Sequence, residues 1–178
     1  MRRVVTGTVD GKSVFLADGA PANQHAYQGW PGHVTSVVWA TAPTPRLPTT
    51  INDQPQPGVR ATPAPGETRL MMVRFPPDTV FADPRFDGAA YGAEAATHLP
   101  GLIDAFEPDG SGFHTTASVD YDVVIEGEIW LELDDGAVTH LKQGDVVIQG
   151  GTRHAWRNRS PHDAVMLFVL VGSAGPSA

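Results

Sequence analysis

Residues 112–128 read GFHTTASVDYDVVIEGE and residues 144–158 read GDVVIQGGTRHAWRN, and these two stretches decide how the chain folds. Each holds a β-branched run, Val123-Val124-Ile125 or Val146-Val147-Ile148, bounded by glycine, which is the pattern of strands ended by turns. Successive side chains of a strand point to opposite faces, so residues an even number apart share one. His114, Thr116 and Asp120 can therefore point the same way, and so can His154, Trp156 and Asn158. If the two strands face each other, two imidazoles and a carboxylate converge. Two histidines and one carboxylate, with open positions left over, are the ligand set of mononuclear non-haem iron, and zinc, nickel or manganese can use the same groups.

Working outward, the C-terminal third continues as short strands at intervals of about ten residues. Tyr121 to Ile125, Ile129 to Leu133, Ala137 to Leu141, Val146 to Ile148 and Asp163 to Val171 alternate with Gly- and Asp-containing turns. At the other end, residues 3–16 read as a hairpin around Asp10-Gly11, a strong two-residue turn signal. His33 to Thr41 and Glu67 to Phe75 are further strands. Between them, residues 43–66 hold seven prolines and little apolar content. Proline cannot donate to a sheet ladder, so this segment reads as a surface loop, or as an arm serving as a lid or an inter-subunit contact. Alanines over 88–106 predict one or two short helices, and residues 173–178 a flexible tail. The division expected is one domain over 1–172: N-terminal strands over 3–41, the Pro-rich arm over 43–66 and a barrel over about 67–171. The fold class is all-β, an antiparallel sandwich or closed barrel.

Composition narrows the function. The 178 residues include 19 Gly and 16 Pro, too many for a helix bundle, and no Cys, which excludes thiol nucleophiles and thiolate metal sites. Twenty acidic against 12 basic residues give a net charge of −8, unsuited to a nucleic-acid surface. Neither a signal peptide nor a membrane span is evident, so the expected location is cytoplasmic, with no membrane partner.

The paired stretches resemble the cupins, small jelly-roll barrels. Cupin motif one, G-x5-H-x-H-x3-4-E-x6-G, is matched at His114, Thr116, Asp120 and Gly127. Motif two, G-x5-P-x-G-x2-H-x3-N, is matched at Gly144, Gln149, Gly151, His154 and Asn158. Thr116 replaces the second histidine, Asp120 the glutamate and Gln149 the proline, and the chain is similar to a cupin branch that shares these replacements. The resemblance implies a cupin jelly-roll β-barrel with an N-terminal β extension, and a homodimer formed by exchange of N-terminal strands. It also implies a small-molecule enzyme with its site in the barrel mouth. A divalent metal (Fe, Zn, Mn or Ni) on His114, Asp120 and His154 would serve oxygenase, lyase or isomerase chemistry. Alternatively, His114 and His154 act as a metal-free acid/base pair, or the barrel is a sensor that binds a small ligand. Gln149 is a candidate donor to a substrate oxygen or a backbone partner, and Thr116, Tyr121 and Trp156 are candidate substrate contacts. The surrounding apolar residues favour a hydrophobic or aromatic substrate. His25, His33, His98, His140 and His162 lack partners at ligand spacing and read as surface histidines. Tyr91, Glu94 and Glu107 are placed as a possible wall of the pocket mouth.

Overall fold

A computed structural model describes residues 1–175; the end of the expected tail, 176–178, lies outside the described residues. The chain opens with a hairpin, β1 (Arg3–Val9) and β2 (Lys12–Gly19). Asp10 and Gly11 both take positive φ, 49° and 73°, which is what the two central residues of a tight hairpin turn require. Next come β3 (His25–Ala26), β4 (Val34–Thr41) and β5 (Thr68–Phe75), then α1 (Gly88–His98). The remaining strands are β6 (Ser118–Glu126), β7 (Glu128–Glu132), β8 (Val138–Lys142), β9 (Val146–Gly150), β10 (Ala155–Arg157) and β11 (Ala164–Gly172).

Every pairing is antiparallel. Six strands form one sheet in the order β3-β4-β5-β11-β6-β9, three form another in the order β10-β7-β8, and the β1-β2 hairpin stands apart. This is a jelly roll in which the two sheets supply the inner faces. Alternation along β6 shows how the sequence sorts itself. Ser118, Asp120, Asp122 and Val124 are buried, whereas Val119 and Tyr121 are exposed. The turn from β6 to β7 needs Gly127, whose φ is 76°; a Cβ there would stand 2.6 Å from the Asp163 carbonyl oxygen.

Apolar packing divides into two clusters. Val124, Ile129, Leu131, Leu141, Ala164 and Met166 fill one end, and Tyr27, Val37, Ala61, Met71, Ala95, Leu99 and Leu170 the other, with Phe168 touching both. The Pro-rich segment departs from the expectation of a wholly superficial arm. Ala61 is fully buried and its N–H donates to the Pro100 carbonyl at 2.9 Å, so this end of the segment is core. A small apolar side chain such as that of alanine fits there without a polar group to desolvate.

The α1 helix begins at Asp87, whose carboxylate accepts from the N–H groups of Ala89 and Ala90 and so caps it. Glu94, on the next turn, accepts from the N–H groups of Gln28 and Gly29 and faces the His25 imidazole at 2.9 Å. These contacts hold the helix against the β3 region. Gly29 makes the approach possible, since a Cβ there would run into the Tyr91 backbone nitrogen and stand 2.7 Å from the Asp87 carbonyl oxygen. Gly29→Ala is expected to push α1 outward and cost about 1–3 kcal/mol, read as a lower denaturant midpoint with little change in slope.

Candidate active site

The site begins where the segments leading into β6 and β10 bind each other. His114 N–H donates to the His154 carbonyl at 2.9 Å, and His154 N–H returns the bond to the His114 carbonyl at 3.0 Å. This reciprocal pair sets the imidazoles side by side, with ring centroids 4.2 Å apart and planes 52° apart. Phe106 stacks on the other face of His114 at 4.4 Å. Each ring is anchored in the same way: Nδ1 of His114 meets the Gly112 carbonyl at 3.3 Å, and Nδ1 of His154 meets the Thr152 carbonyl at 2.9 Å. A carbonyl only accepts, so in the neutral rings both protons sit on Nδ1 and both Nε2 atoms are left as bases.

The two Nε2 atoms then differ. Gln149 Nε2 stands 3.2 Å from His154 Nε2 and donates its other proton to Asp122 Oδ2 at 2.8 Å; Thr152 Oγ1 donates to Gln149 Oε1 at 3.2 Å. The amide orientation is fixed at both ends, and it caps His154. Among the described residues no hydrogen-bond partner meets Nε2 of His114.

Burial governs the charges here. It pushes the His114 imidazole down to about 4, helped by the neighbouring His154, and it lowers His154 against the opposing pull of the Thr152 carbonyl and Asp120. The buried carboxyls Asp120 and Asp122 on β6 shift upward for the same reason. Asp120 rises despite the hydroxyls of Ser118 and Thr116, and Asp122 rises to about 7 despite Gln149.

Around this polar patch lies a cavity of about 790 Å³, walled by residues including Trp30, Phe75, Phe81, Phe86, Tyr91 and Phe106. His114, Thr116, Asp120, Gln149, His154 and Trp156 all line it, so the structure brings six of the seven candidate residues together. Tyr121 is not among them: odd in the β6 alternation, it faces outward and is 45% exposed. Asn158 also turns away, donating to the carbonyls of Phe75 and His162 to pin a loop. Of the suggested mouth residues, Tyr91 and Glu107 line the cavity, whereas Glu94 is spent on tethering α1.

His33 requires a correction, because it is a cavity-wall residue rather than a surface one. It is only 3% exposed, stacks on Trp30 at 4.1 Å, donates toward the Arg74 carbonyl and is driven by burial to about 3. Asp122 went unnoticed in the sequence, yet its spacing of two from Asp120 on one strand already placed it on the inner face.

The arrangement does not fit a three-ligand metal centre. Both oxygens of Asp120 are engaged, Oδ1 by Ser118 Oγ at 2.5 Å and Oδ2 by Thr116 Oγ1 at 3.3 Å, and Gln149 holds the free nitrogen of His154. Among the described residues no three His, Asp or Glu side chains converge as a ligand group. What remains is a neutral imidazole with an open base nitrogen, set in an apolar chamber.

No family model matches the chain. It is 49% identical over 78 residues to the phomopsin biosynthesis cluster protein C' of Diaporthe leptostromiformis, covering 41% of each chain. It is 46% identical over 64 residues to the cupin-domain-containing oxidoreductase virC of Hypocrea virens, covering 34% of this chain and 33% of that one. The chain thus spans about two fifths or less of the length of these curated relatives. Among solved structures, a cupin superfamily protein of Desulfitobacterium hafniense aligns with a TM-score of 0.38 and 11% identity, over 60% of this chain and 68% of that one. The two motif stretches pair along β6 and β9 of the jelly roll, and the match to a cupin-domain-containing relative supports a cupin domain.

Proposed function

We propose that the protein is a small-molecule enzyme that moves a proton on a hydrophobic or aromatic organic substrate, with His114 as the base. The carrying observation is the open Nε2 of a buried, neutral His114 at the wall of an aromatic chamber. The chamber volume suits one drug-sized organic molecule.

His114 takes the proton on Nε2 while the Gly112 carbonyl keeps Nδ1–H in place. The same imidazolium then returns the proton, either to another carbon of the substrate, an isomerisation, or to a departing hydroxyl, a dehydration. A base held near 4 is a weak one, so it suits a C–H or O–H made acidic by an adjacent carbonyl. Asp120 favours positive charge on the neighbouring His154 and so steadies the imidazole pair when it is charged. Phe106 and the aromatic walls exclude water from the reacting atoms.

The relatives' names support the setting. One is a biosynthesis cluster protein and another a cupin-domain-containing oxidoreductase, so a place in small-molecule biosynthesis is consistent with the chamber. The oxidoreductase name favours a second reading, a divalent metal on His114, Asp120 and His154, which would require Ser118 and Gln149 to give up their present bonds.

Deuterium exchange at the benzylic carbon of phenylacetone in D2O, followed by NMR, tests the proposal. Exchange should exceed the buffer rate, survive treatment with chelator and fall by about 10²- to 10⁴-fold in His114→Gln. Exchange that vanishes with chelator and returns with a divalent cation overturns it in favour of the metal reading.

Stability should carry the same signature. The native His33 and His114 stay neutral down to about 3 and 4, whereas the unfolded chain takes up these protons near 6.5. Unfolding therefore binds protons below pH 6.5, and Tm is expected to fall by about 5 °C or more between pH 6.5 and 4.5. Asp122, raised to about 7, acts in the opposite sense, lowering stability as pH rises from about 4 to 7. In Asp122→Asn that second slope should disappear from a pH series of melting curves.

A further inference from the structure

Two arginines flank the loop at 107–113, and they are used differently. Arg153 is engaged through all three nitrogens: Nε and Nη2 reach the Glu107 carboxylate, Nη1 reaches Asp134, and the guanidinium lies over the Phe113 ring at 3.9 Å. Arg157 spends one donor, Nε to Glu132 Oε2 at 2.7 Å, and its guanidinium sits 5.4 Å from the same Phe113 ring. Among the described residues its Nη1 and Nη2 have no hydrogen-bond partner. Nη1 lies beside Gly112, where a Cβ would stand only 3.2 Å away, and Gly112 holds a φ of 79° that favours glycine. A side chain at 112 would crowd the space this guanidinium occupies.

Both Arg157 and Gly112 line the cavity. Trp156 and Arg157, neighbours on the edge strand β10, both line that space. Among the described lining residues Arg157 is the only arginine or lysine. Asp78 also lines the cavity and feels Arg157, but its Oδ1 accepts from the Asn158 backbone N–H. The result is a guanidinium oriented from one side by Glu132 and Phe113, with its outer pair of nitrogens free. That fork matches a carboxylate, which it can hold through two parallel bonds.

We propose that Arg157 is a specificity-determining residue that binds a carboxylate, so that the substrate is an apolar or aromatic carboxylic acid. This rests on the reading of the cavity as a substrate chamber and adds the anionic end of the molecule. It accounts for two guanidinium nitrogens without hydrogen-bond partners among the described residues, at the wall of a mostly apolar cavity in a chain of net charge −8. The acid would enter with its carboxylate on Arg157 and its apolar body among the aromatic walls.

Calorimetric titration with trans-cinnamate and its uncharged isostere cinnamamide tests this. The parent protein should bind cinnamate about tenfold or more tightly than cinnamamide, the gain of one charge-assisted contact. Arg157→Gln should abolish the preference while leaving cinnamamide affinity unchanged, and Arg157→Lys should restore part of it through a single-point contact. Equal affinities in the parent, or a preference that persists in Arg157→Gln with its melting curve intact, overturn the assignment. Failure of both probes to bind at about 10 mM overturns the chamber reading together with it. His114→Gln separates the two ideas: it should stop proton exchange yet keep the cinnamate preference. Loss of the preference in that variant assigns the anion to His114 instead.

Discussion

The reciprocal backbone pair between His114 and His154 is the constraint on which the site depends. Two residues that exchange both N–H···O=C bonds hold their side chains on one face at a fixed separation, whatever those side chains are. Here they are imidazoles, and each is then turned by the carbonyl two residues before it, Gly112 or Thr152. The near-symmetry fails at the far nitrogens, where Gln149 meets one ring and not the other. Two histidines in equivalent backbone settings therefore acquire different duties from a single amide.

Around that pair the fold tolerates an uncommon concentration of buried polarity. Ser118 bonds Asp120 and Gln149 bonds Asp122 on adjoining strands, and only Asp122 Oδ1 lacks a partner among the buried carboxylate oxygens described. Polar groups in such a place are costly unless paired, and a carboxyl that cannot be paired fully tends to keep its proton. The upward shift of Asp122 is that response. The two apolar clusters lie on either side, so the polar group is framed by packing that does not depend on it.

Most of the strand order was legible because period-two patterning and Asp-Gly or Gly-Asp turns act locally. The inward set His114, Thr116, Asp120, Gln149, His154 and Trp156 followed from spacing and from likeness to known motifs. Tyr121 entered the candidate set through the motif resemblance, although parity on β6 sends it outside. His33, Arg157 and the buried Ala61 were not legible as cavity or core residues, since their settings are made by segments far along the chain. His33 owes its burial to Trp30 and neighbouring aromatic rings, and Arg157 owes its free fork to Glu132, Phe113 and the open backbone at Gly112. Spacing along one strand carries no record of such meetings.

The chamber wall and the base pair come from different parts of the chain. Tyr91, Gly88 and Gly92 on α1, with Trp30, Phe81 and Phe86 before it, close the cavity from outside the two motif stretches. Their hold on the barrel runs largely through Glu94 and the bare backbone at Gly29. Substitutions in that wall can thus reshape the space without touching either imidazole. Proteins that share this imidazole pair would then be free to diverge in the shape of the chamber beside it. Likeness confined to the motifs speaks for the paired imidazoles and leaves the shape of the chamber to be read from the helix and the aromatic turn.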